Sequence, residues 1–160
     1  MPSEWRWPLP LAPELPDAPG RFGARRKYDF HTGVDLYCPP GTAVTAVEDG
    51  VVVAIELFTG EAAGSPWWND THAVLVKGAT GIVVYGEITP LVSIGQTVKQ
   101  GQELGVVKTV LKQDKGRPTT MLHIELMSSS ADTTLWWPLG TAQPPDLLDP
   151  TPYLEALCKR

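Results

Sequence analysis

The chain has 160 residues, 42% of them hydrophobic, and a formal net charge of -5. That length most simply makes one domain, large enough to bury a core without disulfide staples. The acidic balance argues against a nucleic-acid or anionic-membrane surface and favours a soluble protein with a neutral or basic partner.

The 16 prolines and 15 glycines leave few long stretches free of both, which suits short strands and turns better than a helical bundle. Residues 1 to about 28 read as a proline-rich entry, with an arm over 1–19 that carries Pro8, Pro10, Pro13, Pro16 and Pro19. The first residues lack the basic start and apolar run of a signal peptide, and no apolar segment reaches the roughly eighteen residues of a membrane helix. The expected location is cytoplasmic, unless a leader precedes this segment. The 2 cysteines, Cys38 and Cys158, are too few and too far apart for a disulfide framework, so reduced thiols are expected.

Strand candidates follow in order. Residues 42–47 and 50–57 flank Glu48-Asp49-Gly50 and predict a hairpin. Residues 73–77 and 82–85 flank Gly78-Ala79-Thr80-Gly81 and predict a second one, and residues 102–110 and 121–127 complete the set. Two loops interrupt them: 58–70, with the pair Trp67-Trp68, and 111–120, which carries Lys112, Lys115 and Arg117. The tail from residue 128 is proline-rich and predicts a short helix over 151–157. The fold class is all-β, irregular at both ends.

Chemistry concentrates in His31-Thr32-Gly33-Val34-Asp35 and Met121-Leu122-His123-Ile124-Glu125, which hold two of the 3 histidines. Two imidazoles with carboxylates are the ligand types of a zinc site that leaves room for water. On a regular strand His31 and Asp35 would stand roughly 13 Å apart, too far to share one ion. Gly33 between them permits a bend that closes the gap. In 121–127, Leu122, Ile124 and Leu126 alternate with Met121, His123 and Glu125, so a core on the first face aims His123 into a cleft.

In these motifs the chain resembles the lysostaphin/LytM-type zinc endopeptidases, which cut peptide cross-bridges in bacterial cell walls. The resemblance runs through Phe22-Gly23-Ala24-Arg25, the His31–Asp35 motif, Gly41-Thr42-Ala43-Val44-Thr45-Ala46 and Asp49-Gly50-Val51-Val52. It continues through Tyr85-Gly86-Glu87-Ile88, Val98-Lys99-Gln100-Gly101-Gln102 and the Met121–Glu125 motif. It implies a LytM-like open sheet or barrel-sandwich core over 20–127, a C-terminal extension over 128–160, and zinc ligands at His31, Asp35 and His123.

The resemblance also implies two non-ligand histidines that handle protons and steady the oxyanion, where this chain has Glu87 and Met121. A thioether cannot act as acid or base. Glu87 is therefore the expected substitute general base, with the metal or a cation such as Arg117 left to steady the oxyanion. Glu125 is expected to orient a ligand histidine rather than to bind the ion. His72 reads as a surface residue, Cys38 as a small buried one, and Met121 as filler or cleft lining. The pairs Trp67-Trp68 and Trp136-Trp137 read equally as platforms for sugar or peptide and as loop anchors.

The expected function is zinc-dependent hydrolysis of a peptide or amide bond, with a peptide or peptidoglycan-derived substrate. The rival is a non-catalytic, metal-retaining binding or regulatory module whose partner is an enzyme. Residues 98–105 also resemble the turn of biotinyl and lipoyl carrier domains, but the exposed lysine such carriers present at a hairpin tip is missing.

Overall fold

The computed structural model describes residues 4–17, 20–112 and 120–159. Its strands are β1 (Val34–Tyr37), β2 (Ala43–Thr45), β3 (Gly50–Thr59), β4 (Thr71–Gly78), β5 (Gly81–Pro90), β6 (Thr97–Val98), β7 (Glu103–Val107), β8 (Met121–Met127) and β9 (Leu147–Leu148). Among the described residues the one α-helix is α1 (Thr151–Cys158). The main sheet runs β1-β8-β5-β4-β3-β6, with β7 joining β5 to β2 and with β9 on β8. The sheet is open, as expected of the LytM-like fold.

The long antiparallel pair β4–β5 turns through Ala79 and Thr80, and it is the predicted second hairpin. The first predicted hairpin does not form: β2 pairs with β7, while β3 pairs with β4 and β6. Glu48 explains the difference. Its buried carboxylate accepts hydrogen bonds from Thr80 N and Oγ1 at 3.3 and 2.7 Å, and Val47 N donates to the Tyr85 hydroxyl at 3.0 Å. Held there, the chain changes partner at 48–49 instead of folding back on itself.

Alternation places two apolar layers on the sheet. Val74, Val76, Val83, Tyr85, Leu122, Ile124 and Leu126 belong to the larger core, and Ala73, Leu75, Ile82, Val84 and Met127 to the smaller. Each fully buried Leu or Ile contributes about 1.5–3 kcal/mol. Leu122, Ile124 and Leu126 thereby fix the face of β8, and His123 and Glu125 must occupy the other.

The ends of the chain pack on this frame. Arg6 N donates to Val47 O and Thr45 N to Pro8 O, at 2.9 and 2.8 Å. Trp5 stacks on Tyr153 of α1 with centroids 4.8 Å apart, and Leu154 is buried in the larger core.

Candidate metal centre

His31 reaches the centre from a small hairpin that precedes β1. Gly23 N donates to His31 O and His31 N to Ala24 O, both at 2.9 Å, and Arg26 N closes the turn on Asp29 O at 2.8 Å. Trp137 braces the hairpin from outside, with ring centroids 4.8 Å from Phe30 and 5.8 Å from Phe22. His31 and Thr32 lie outside the regular strand, so the extended spacing of roughly 13 Å never applies.

Gly33 sets the approach to β8. A Cβ there would lie 2.4 Å from Ile124 O and 3.0 Å from His123 Nε2. A side chain at this position would push the His31–Asp35 segment away from β8. Beyond it, Asp35 pairs across the ladder with His123.

Three donor atoms converge. His31 Nε2 lies 3.1 Å from His123 Nδ1 and 3.2 Å from Asp35 Oδ1, and the Asp35 Oδ1 to His123 Nδ1 distance is 2.8 Å. A tetrahedral zinc ion with N and O ligands needs donor separations of roughly 3.3 Å, so a small outward movement would admit one. Each back side is already engaged. His31 Nδ1 donates to Arg21 O at 3.0 Å, and His123 Nε2 donates to Glu125 Oε1 at 2.7 Å, which also accepts from Thr32 Oγ1 at 2.6 Å. Asp35 Oδ2 takes Arg26 Nη2 at 3.2 Å. Those back-side bonds keep the second nitrogen of each ring turned inward, where it offers a lone pair to a metal once any inward proton is displaced.

Without a metal, the charges settle differently. Burial works against the charged form of Asp35, but the hydrogen bonds from His123 and His31 overcome it and hold the carboxyl well below its usual range. Burial opposes charge on His123 too, yet its bonds to Asp35 and Glu125 push its pKa up to about 10. His31 is lowered, chiefly by burial. Without a metal, then, a proton on His123 answers the negative field. Two further carboxylate oxygens, Glu87 Oε2 and Glu125 Oε2, are buried without a hydrogen-bond partner among the described residues. Orphaned acceptors of this kind are costly, and a nearby dication relieves the field they create. The donor set, the back-side hydrogen bonds and the gathering of carboxyl groups all fit a divalent cation.

Glu87 sits where β5 changes partner. Gly86 still pairs with His123 of β8, and Ile88 already pairs with Val107 of β7. Glu87 takes φ of 66°, and among the described residues it is the one non-glycine with positive φ. That conformation costs about 1–3 kcal/mol and gathers at functional sites. Burial pushes its carboxyl pKa up to about 8 against the opposing pull of His123, with Asp35, Arg26 and Glu125 also within electrostatic reach. Phe58 packs on the other side of His123, ring centroids 5.3 Å apart.

The remaining candidates fall elsewhere. Glu125 orients His123, as expected, and lies outside the donor triangle. Met121 is half-buried at the start of β8, opposite Tyr37. The half-buried Cys38 thiol engages Thr42 and the Leu122 backbone, away from the donors. His72 is half-buried within the β4 ladder, not on the open surface, because Leu57 and Ile88 flank it. Trp67 and Trp136 are 63% and 66% exposed, whereas Trp137 anchors the His31 hairpin. Lys112 Nζ donates to Pro66 O at 2.9 Å and so ties its loop to the Trp67-Trp68 loop. Lys115 and Arg117 lie outside the described residues.

Sequence reasoning missed Arg26, Thr32 and the Arg21 carbonyl. Thr32 and Arg26 stand within or close to the His31 motif, but nothing in their spacing marks them.

Comparison with known proteins follows the same line. The profile of peptidase family M23 matches residues 29–134, which take in the whole donor set. A zinc-containing peptidase from Vibrio cholerae is similar in structure, with a TM-score of 0.56 at 19% identity over 89% of this chain and 41% of that one. The catalytic domain of the antimicrobial peptidase lysostaphin from Staphylococcus simulans gives 0.54 at 19% identity, over 96% of this chain and 90% of that domain. Csd3 from Helicobacter pylori gives 0.54 at 17% identity, over 98% and 38%. The chain thus spans less than half of the Vibrio and Helicobacter chains and nearly all of the lysostaphin catalytic domain. At these identities the likeness establishes the fold. No curated protein sequence matches. The family match covers well over half of the chain, and the chain belongs to peptidase family M23.

Proposed function

We propose that this chain is a zinc-dependent peptidase that hydrolyses a peptide or amide bond, with His31, Asp35 and His123 as the ligands and Glu87 as the general base. The observation that carries the reading is the donor triangle, in which three inward atoms lie within 3.2 Å of one another and each back-side atom already has a partner. Zinc there supplies Lewis-acid polarisation of water and of the scissile carbonyl.

The residues supply the rest. Glu125 and the Arg21 carbonyl keep the two imidazoles facing inward. Glu87 stands beside the donors on a backbone fixed by the change of strand partner. There it takes a proton from the attacking water and returns it to the leaving amine, a role suited to a carboxyl whose affinity for protons is raised by burial. Peptides from bacterial cell wall are the first substrates to test, since the relatives include an antimicrobial peptidase.

The experiment is release of new amino termini from purified peptidoglycan and from a panel of soluble peptides. Zinc-loaded protein should release them, and chelation should stop it. Loaded protein that releases none from any substrate overturns the reading. One observation favours the second reading, a non-catalytic metal-retaining module: Glu87 and Met121 stand where the resemblance places histidines. That module would hold its ion, release no termini, and capture a partner enzyme whether or not the ion is present.

A further inference from the structure

We infer that Arg26 is a positioning residue for the centre: it holds Asp35 by one oxygen so that the other alone faces the two histidines. The inference rests on the reading of His31, Asp35 and His123 as a metal site, and it goes beyond that reading by assigning a residue outside the donor set.

The two oxygens of Asp35 have separate duties. Oδ1 lies 2.8 Å from His123 Nδ1 and 3.2 Å from His31 Nε2, while Oδ2 lies 3.2 Å from Arg26 Nη2. An aspartate with nothing on its second oxygen can turn both oxygens to an ion. A guanidinium on Oδ2 opposes that turn, because two-oxygen ligation would weaken a charge-assisted bond. Single-oxygen ligation keeps a position open for water and for a substrate carbonyl, the feature that separates catalytic from structural zinc sites.

Arg26 is built to stay there. Its backbone N–H closes the tip of the hairpin on Asp29 O, the Arg25–Phe30 bridge flanks it, and Phe30 packs on Trp137. From the far side, Asp35 N donates to Gly20 O at 2.8 Å and pins the aspartate backbone. The Asp35 side chain is 7% exposed and that of Arg26 38%, so the pair sits at the rim of a buried centre and is less screened than a surface ion pair.

Charge gives a second, independent reason. Asp35, Glu87 and Glu125 bring three carboxylates to the cluster, and Arg26 lies within electrostatic reach of Asp35, His31 and Glu87. When Glu87 is ionised, as a general base must be, a dication leaves one negative charge over, and the guanidinium matches it. Removing that charge leaves the ion in a more negative field, where it polarises water less.

The test compares Arg26→Ala and Arg26→Lys with the unaltered protein, each loaded with cobalt(II) for spectroscopy and with zinc for turnover. Cobalt absorption distinguishes four ligands from five, because the added ligand weakens the visible bands. Arg26→Ala should keep one equivalent of metal, show weaker bands, and lose about 10- to 100-fold in turnover or metal affinity. Arg26→Lys should recover most of the band intensity. An Arg26→Ala protein with the unaltered spectrum and turnover overturns the inference and leaves the zinc reading standing. Failure of the unaltered protein to bind cobalt or zinc overturns both. Loss of folding in Arg26→Ala, checked by circular dichroism, is met by Arg26→Gln, which keeps a donor on Oδ2 without the charge. Gln should restore the spectrum but not the turnover, and failure to restore the spectrum overturns the positioning role.

Discussion

The two sides of the candidate centre are built to different standards. On one side His31, Asp35 and His123 each face inward, and each is held from behind by the Arg21 carbonyl, Arg26 and Glu125 in turn. On the other stands Glu87, strained and with an orphaned oxygen. The first side has one partner behind each donor. The second hangs on a single carboxylate. On the proposed reading, holding the ion and moving the proton fall to different residues, and each can be broken without the other.

The largest effect expected short of losing the ion is at Glu87. Glu87→Gln keeps the shape and removes the base, so turnover should fall by about 10²- to 10⁴-fold with zinc content unchanged. Equal turnover in both proteins would take Glu87 out of the mechanism. Next comes the support of His123. Glu125→Ala leaves Nε2–H without its acceptor, and zinc affinity measured against a competing chelator should weaken about 10- to 100-fold. Unchanged affinity would mean that the buried carboxylate contributes nothing to the ion.

Smaller effects probe the backbone beneath each side. Gly33→Ala drives a methyl into Ile124 O and should cost about 1–3 kcal/mol in denaturant unfolding, with weaker zinc binding as well. A stable variant with native affinity would show that the close approach is not needed. Glu87→Gly works in the opposite direction. It relieves about 1–3 kcal/mol of left-handed strain, against about 0.5–1 kcal/mol of extra chain entropy for glycine. A net gain of about 1 kcal/mol in stability, with turnover lost, is the expected outcome. Destabilisation would show that the Glu87 side chain supports the fold more than its backbone strains it.

How much of this was legible in the sequence varies with the length of the pattern. Residues 121–127 alternate over a full strand, and β8 has the predicted bounds. The β4–β5 hairpin announced itself through Gly78 and Gly81, and the last helix, expected over 151–157, spans Thr151–Cys158. β1, β6 and β9 were not predicted, since two to four residues are too few to show a period. The 48–50 turn misled because local turn chemistry is blind to Thr80 and Tyr85, which capture Glu48 and Val47 from across the fold. At the site, the histidines and Asp35 were readable as ligand types in a known pattern. Arg26 was not, because a contact nine residues away through a hairpin leaves no periodic trace. The strain at Glu87 belongs to a change of strand partner, which no local pattern records.

The most direct test of the account is the metal content of the purified protein and of His123→Ala after reconstitution with zinc and exhaustive buffer exchange. The account predicts about one equivalent in the first and close to none in the second. No retained zinc in the unaltered protein, or an equal amount in both, would contradict it.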